Sequence, residues 1–259
     1  MKLKWMACVF LVLVAVALQL PAQQAKAERE FFEAAKAKAE KGDASAQNDV
    51  GVCYYNGQGV VKDMVEAAKW YRKAADQNEA KAQFNLGVCY ANGEGVAKDY
   101  VEAVKWFHKA AEQNIASAQY NLGICYSKGD GVAEDEYEAV RWLREAADQN
   151  YADAQCDLGS MYLRKNLPTA AAKWYRKAAD NGNSKAQYNL GHMYANGQGV
   201  EKDSAEALKW YSKAAGQGYA DAQYNLGVMH GAGKGVPQNF AEAVKWYLKA
   251  AEQGVADAQ

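Results

Sequence analysis

Residues 82–117 read AQFNLGVCYANGEGVAKDYVEAVKWFHKAAEQNIAS, and this stretch decides the fold. Over Ala82–Asn92, helical spacing gathers Ala82, Leu86, Cys89 and Tyr90 on one face, the stripe of a helix buried along one side. Gly87 beside them leaves room for a neighbouring helix to come close. Gly93-Glu94-Gly95 then stops the helix, because glycine accepts the left-handed backbone that ends helices, and Val96 gives the loop an apolar plug. A second helix starts at Asp99 with Glu102 three residues on. That is a capping box, in which each side chain is expected to satisfy a backbone N–H left free by the first turn. Ala103, Trp106, Phe107, Ala110 and Ala111 follow at helical spacing, and Asn114 ends the run. The stretch predicts a hairpin of two helices, A and B.

The hairpin recurs. Trp70, Trp106, Trp142, Trp174, Trp210 and Trp246 are separated by 36, 36, 32, 36 and 36 residues. Gln47, Gln83, Gln119, Gln155, Gln187, Gln223 and Gln259 keep the same rhythm. A fixed period of this length marks a solenoid built from one supersecondary unit. Six units follow: 46–81, 82–117, 118–153, 154–185, 186–221 and 222–257. The capping pair returns as Asp63/Glu66, Asp135/Glu138, Asp203/Glu206 and Asn239/Glu242, and the stop residue as Asn78, Asn150, Gly182, Gly218 and Gly254.

The pattern A-x-x-x-L-G-x-x-Y-x-x-G-x-G-V-x-x-D, followed by A-x-x-W-Y-x-K-A-A, resembles the Sel-one-like repeat (SLR) family, relatives of the tetratricopeptide repeat. The resemblance covers residues 46–257. It implies an all-α fold, a right-handed α/α superhelical solenoid of two-helix repeats, and a role in assembling protein complexes or in signalling. It does not imply one partner.

The fourth unit departs from the pattern. It loses four residues between Tyr162 and Trp174, and its Arg164–Pro168 segment lacks both loop glycines and the capping Asp. Pro168 suits the first turn of a helix, where a missing N–H costs little, so a tighter loop is expected there. At the front, Glu28–Lys41 aligns with a helix B, which makes residues 28–45 a capping helix; at the back, residues 258–259 begin a truncated further repeat. Terminal repeats normally need a polar cap, so this end is read as a surface for a partner or for self-association, or as the edge of a longer sequence.

Composition narrows the function. Half the chain is apolar, three prolines occur, and the net charge is −1. Residues 1–27 hold Lys2, Lys4 and Lys26 and no acid, so the remainder carries −4, and nucleic acid is not an expected partner. Those 27 residues have the proportions of a secretory signal: a basic start, an apolar run of 13 residues at Met6–Leu18, Pro21, and Ala25-Lys26-Ala27 as a cleavage pattern. The run is short of the ~20 residues a membrane span needs. Cleavage after Ala27, a periplasmic or secreted location and no stable membrane insertion afterwards are expected.

No motif carries chemistry. Cys53, Cys89 and Cys125 share one position that Met161, Met193 and Met229 fill in later units, which reads as core packing. Stacked equivalents at ~8–10 Å are too far apart for a disulfide. Some exported members of the resembled family carry a bridged pair eight residues apart in each repeat, but Ala75 and Gln83 stand there in this chain. Cys156 lies on a different helix face and is a candidate free thiol. His108, His192 and His230 are scattered, and none of the common metal, nucleophile or phosphate-loop motifs is present. No catalytic residue, cofactor or metal is assigned.

What remains is the side of helix A opposite its core stripe, which lines the concave groove in related superhelices. The binding candidates there are Phe84, Asn85, Val88 and Asn92; Tyr120, Asn121, Ile124 and Lys128; Tyr188, Asn189, His192 and Asn196; and Tyr224 and Asn225. A ladder of amides can hydrogen-bond an extended peptide, with aromatics supplying apolar pockets. The alternative use of those residues is to bond neighbouring loops and pack between repeats. The sequence thus predicts an exported, non-enzymatic scaffold for a peptide or protein. A cell-wall or carbohydrate-binding module using the aromatic ladder is the second reading, and a hydrolase such as a β-lactamase-like enzyme finds no constellation.

Overall fold

The structure, a computed structural model, describes residues 23–255. The signal segment therefore lies outside the described residues up to position 22, as do the last four positions with the start of a further repeat. Every regular element among the described residues is a helix. Helix α1 runs from residue 23 to residue 39. Twelve helices of 13 residues follow, namely α2 Ala44–Asn56, α3 Met64–Asp76, α4 Ala80–Asn92, α5 Tyr100–Glu112, α6 Ala116–Lys128, α7 Glu136–Asp148, α8 Ala152–Arg164, α9 Pro168–Asp180, α10 Ser184–Asn196, α11 Ser204–Gly216, α12 Ala220–Ala232 and α13 Phe240–Glu252. The described residues divide into two compact units, one running to Ala118 and including Gly129–Ala133, the other made of Gln119–Lys128 and the residues from Glu134 on. In the first, α2 packs on α3, α3 on α4 and α4 on α5; in the second, each helix from α7 to α13 packs on the next. No described helix is long and apolar enough to cross a membrane.

The predicted stop and start signals hold the hairpins. Gly57, Gly93, Gly197 and Gly233 close A helices in the left-handed conformation. Asn78, Asn114 and Asn150 do the same after B helices, at φ 66°, 65° and 63°. Asp99 Oδ1 accepts from the N–H groups of Val101 and Glu102, and Asp63 and Asp203 repeat the arrangement. The reciprocal half of the capping box does not form. The Asp99 N–H already donates to the Tyr90 carbonyl at 2.9 Å, as Asp63 does to Tyr54 and Asp203 to Tyr194. Glu102 turns instead to Lys105 at 2.6 Å, one turn along the exposed face, and Glu66, Glu138, Glu206 and Glu242 also meet the cation three residues on. In the fourth unit α8 ends at Arg164 and α9 starts at Pro168, so the loop is shorter, and Leu167 caps α9 without a side-chain hydrogen bond.

Small residues set the spacing. A Cβ on Gly87 would stand 2.6 Å from the Phe107 ring, and the corresponding glycines, Gly51, Gly159, Gly191 and Gly227, face Tyr71, Tyr175, Tyr211 and Tyr247. The second loop glycine works between hairpins: a Cβ on Gly95 would overlap the Met64 carbonyl at the start of α3, and one on Gly59 would overlap Glu28 in α1. The core is a chain of small clusters. In the first unit, Tyr71, Ala75, Leu86, Cys89 and Trp106 pack together; in the second, Tyr175, Leu190, Met193 and Trp210 do. Cys53, Cys89 and Cys156 are buried, unbridged thiols. On α13 the apolar residues Phe240, Val244 and Leu248 are 67%, 56% and 60% exposed.

A polar ladder runs through these clusters. Gln47, Gln83, Gln155, Gln187 and Gln223 are buried, and each donates its amide to the carbonyl of an Ala near the end of the preceding helix, at 2.9–3.4 Å. Each in turn accepts from an amide at the end of its own helix B: Gln77, Gln113, Asn181, Gln217 and Gln253, at 2.7–2.9 Å. The period of these glutamines is plain in the sequence; their partners are not.

Candidate functional site

The A helices bury Ala82, Gln83, Leu86, Gly87 and Cys89 or their equivalents, which leaves the predicted candidates on the opposite side. Phe84, Asn85 and Val88 are half-buried and Asn92 is exposed. In the second unit Tyr120, Asn121, Ile124, Tyr188, Asn189, Tyr224 and Asn225 are half-buried, while Lys128, His192 and Asn196 are exposed.

Several candidates spend their polar groups on one another across repeats. Asn85 Nδ2 donates to Asn48 Oδ1 at 2.9 Å, and Tyr120 donates its hydroxyl to Asp157 at 3.1 Å. Both pairs join the residue at position 84, or its equivalent, to the residue at position 85 of the next hairpin. Asn225 faces the Tyr188 hydroxyl in the same sense, and also the hydroxyl of Tyr211 on α11. Burial, then Asp157 beside it, pushes the Tyr120 hydroxyl well above the usual phenol range; burial, then Asp221, raises Tyr188. These hydroxyls stay protonated, and Tyr120 uses its proton as the donor to Asp157. Asn196 Nδ2 lies 3.1 Å from His192 Nε2 on the exposed edge. Among the described residues, the Asn121 and Asn189 side chains make no hydrogen bond.

The aromatic candidates pack on other rings. Phe84 lies 6.1 Å from Phe107, Tyr120 5.2 Å from Tyr151, Tyr188 5.1 Å from Tyr219 and 5.8 Å from Tyr211, and Tyr224 5.7 Å from Tyr247. They form the walls of the strip between hairpins, and free-standing stacking platforms are not seen. In the first unit the helix A face presents apolar Val88 and the exposed amide of Asn92; in the second it presents Ile124, the exposed Asn196 and the half-buried amides of Asn121 and Asn189, which make no hydrogen bond among the described residues.

Sequence reasoning missed a second set of contacts. Arg72 bonds the Tyr90 hydroxyl and stacks 4.9 Å from the Trp106 ring; Arg176 bonds Tyr194 and stacks 4.8 Å from Trp210; Arg144 bonds Tyr162 at 2.7 Å. The signal was available, since Arg and Tyr recur 18 residues apart in these three repeats.

Comparison with known proteins places this geometry. A family model described as the Sel1 repeat matches residues 44–79, 80–115, 116–151, 184–219 and 220–255, and a tetratricopeptide repeat model matches 137–186, which spans the shortened fourth unit. The chain is similar to the crystal structure of c5321, a protective antigen of uropathogenic Escherichia coli strains displaying an SLR fold, at 39% identity and a TM-score of 0.84. That match covers 88% of this chain and 50% of the antigen, so the chain spans about half its length. It is also similar to a Sel1 repeat protein from Oxalobacter formigenes, at 39% identity and a TM-score of 0.77, over 82% of this chain and 89% of that one. No curated protein sequence matches. The all-α superhelical repeat class follows from these likenesses and from the helix pairs.

Proposed function

The chain belongs to the Sel1 repeat family, and from that premise we propose that it is an exported, non-enzymatic scaffold that holds a peptide or protein segment along its helix A faces. The observation that carries this reading is the division of labour among the amides. Asn85 and Asn225 are engaged with neighbouring hairpins, while the half-buried Asn121 and Asn189 have no partner among the described residues. Prelinked neighbours keep the surface rigid, which lowers the entropy cost of binding, and free amides offer a donor and an acceptor to an extended backbone. Ile124, three residues on from Asn121 along α6, adds apolar contact beside it. A carbohydrate reading would call for exposed rings, and the four candidate rings are half-buried against other rings.

Export rests on the basic start and the apolar run of the first 27 residues. The double variant Asn121→Ala/Asn189→Ala, with helicity unchanged by circular dichroism, is expected to capture much less partner from an envelope extract than the wild type. Equal capture would remove this surface from the account. N-terminal sequencing of exported protein is expected to start at Glu28, and a start at Met1 would overturn the cleavage.

A further inference from the structure

The exposed side of the B helices in the first unit carries chemistry that the helix A face does not use. Along α3 a trough of about 480 Å³ opens toward the loop after α4. Its floor is apolar, with Leu86 and Trp70 buried, and Val65, 50% exposed, stands on its rim with Val96. Its wall is basic: Lys69, Arg72 and Lys73 share it with one carboxylate, Glu66. One repeat on, the equivalent residues of α5, Trp106, Lys105, Lys109 and Glu102, line a trough of about 420 Å³. Five cationic side chains therefore face two carboxylates across the pair.

Trp106 supplies an independent observation. It is 5% exposed, and its indole N–H has no acceptor among the described residues. In α11 the equivalent Trp210 donates to Glu206 at 2.9 Å while Glu206 also pairs with Lys209, whereas in α5 Glu102 pairs with Lys105 and accepts nothing from Trp106. The indole N–H is thus a buried donor left unpaired beside the second trough. The ring itself is flanked by cations, with Arg72 at 4.9 Å and Lys109 at 4.1 Å from its centre. An anionic oxygen brought to this side of the ring would meet the positive charges that flank it.

We propose that these two troughs bind an acidic, apolar segment of a partner protein. Its Asp or Glu carboxylates pair with Lys73 and Lys109, and its apolar side chains fill the Val65–Trp70–Val96 trough. The shared wall favours a short carboxylate-bearing peptide over nucleic acid, because the cations are confined to two apolar troughs on a chain of net charge −1 and form no continuous basic surface. This site is independent of the helix A face.

The test is a titration of tryptophan-¹⁵N-labelled full-length protein, read on the indole N–H resonances, with Trp106→Phe used to assign Trp106. Three probes of about ten units are compared: a peptide of Asp, Glu and Leu, its Asn, Gln and Leu counterpart, and a single-stranded oligonucleotide. The acidic peptide alone is expected to move the Trp106 resonance strongly. Lys73→Gln/Lys109→Gln, which alters only exposed side chains, is expected to weaken that binding about tenfold, and Asn121→Ala/Asn189→Ala to leave it unchanged. A silent Trp106 resonance, equal shifts from the amide peptide, a tighter response to the oligonucleotide, or undiminished binding by the lysine variant would each overturn the site.

Discussion

Gln113, at the end of α5, donates its side-chain amide to Oε1 of Gln83 at 2.8 Å. Gln83 passes the chain on, donating to Asn78 at 3.0 Å and to the Ala75 carbonyl at 3.4 Å. Gln83 is 1% exposed, so every lost contact there is a lost contact in a dry setting, whereas Gln113 lies at the surface. Gln83→Ala is expected to cost about 2 kcal/mol, because it removes a buried side chain that ties the Ala75 carbonyl, Asn78 and Gln113 together. Gln113→Ala is expected to cost about 1 kcal/mol or less, since water replaces the amide. Urea denaturation of both variants checks the order, and equal costs would mean that the ladder adds nothing beyond packing.

Two glycine variants should move stability in opposite directions. Gly191 has no room for a methyl group: its Cβ would stand 2.8 Å from the ring of Tyr211, itself 3% exposed. Gly191→Ala is expected to destabilise by about 1–3 kcal/mol through overpacking. Gly216, the last residue of α11, has nothing within 4 Å of the position a Cβ would take and lacks a positive φ. Gly216→Ala is expected to stabilise by about 0.5–1 kcal/mol, by helix propensity and a less flexible unfolded chain. Thermal melts of the two proteins decide it.

The hairpins were legible because their signals are local. Asp99, Gly93 and Asn114 act on backbone groups a few residues away, so a period and a propensity suffice to place them. The reciprocal capping bond failed for a non-local reason, since the Asp99 N–H is taken by Tyr90, nine residues back across the loop. The candidate site was legible in position but less so in chemistry. Tyr120 meets Asp157 and Asn85 meets Asn48 at a separation of 37 residues, which depends on how one hairpin registers on the next. Helical spacing says which residues share a face, and says nothing of which will bond each other first.

The shortened fourth unit offers a stabilising change. Leu167 precedes Pro168 at the N-cap of α9, 50% exposed and with no side-chain acceptor for the first turn. Every other B helix has Asp or Asn in this role. Leu167→Asp is expected to add about 0.5–1 kcal/mol by accepting from the free N–H groups, aided by the helix dipole. Hydrogen exchange of the first-turn amides of α9 should slow in the variant; unchanged exchange would mean that the tight loop holds Leu167 out of capping geometry.

The buried thiols give the protein an alkaline limit. Burial, with Glu94 adding to it, pushes the Cys89 thiol from 9.0 up to about 11, and burial takes Cys156 up to about 12. Below pH 9 each thiol is protonated in both folded and unfolded chains and contributes nothing to the pH dependence. Above pH 9 the unfolded chain loses its proton first, so the folded state binds more protons and stability falls as pH rises, until the folded thiol also ionises near pH 11 for Cys89 and near pH 12 for Cys156. The slope is about 1.4 kcal/mol per pH unit for each thiol within its window. Met occupies the Cys89 position in later repeats, as Met161, Met193 and Met229, so Cys89→Met keeps a side chain that the fold accepts there. Comparing urea midpoints at pH 8 and pH 10, the variant is expected to lose less stability than the wild type. An identical loss would assign the alkaline limit to the buried tyrosines, whose hydroxyls at Tyr71, Tyr120 and Tyr211 are raised by the same burial.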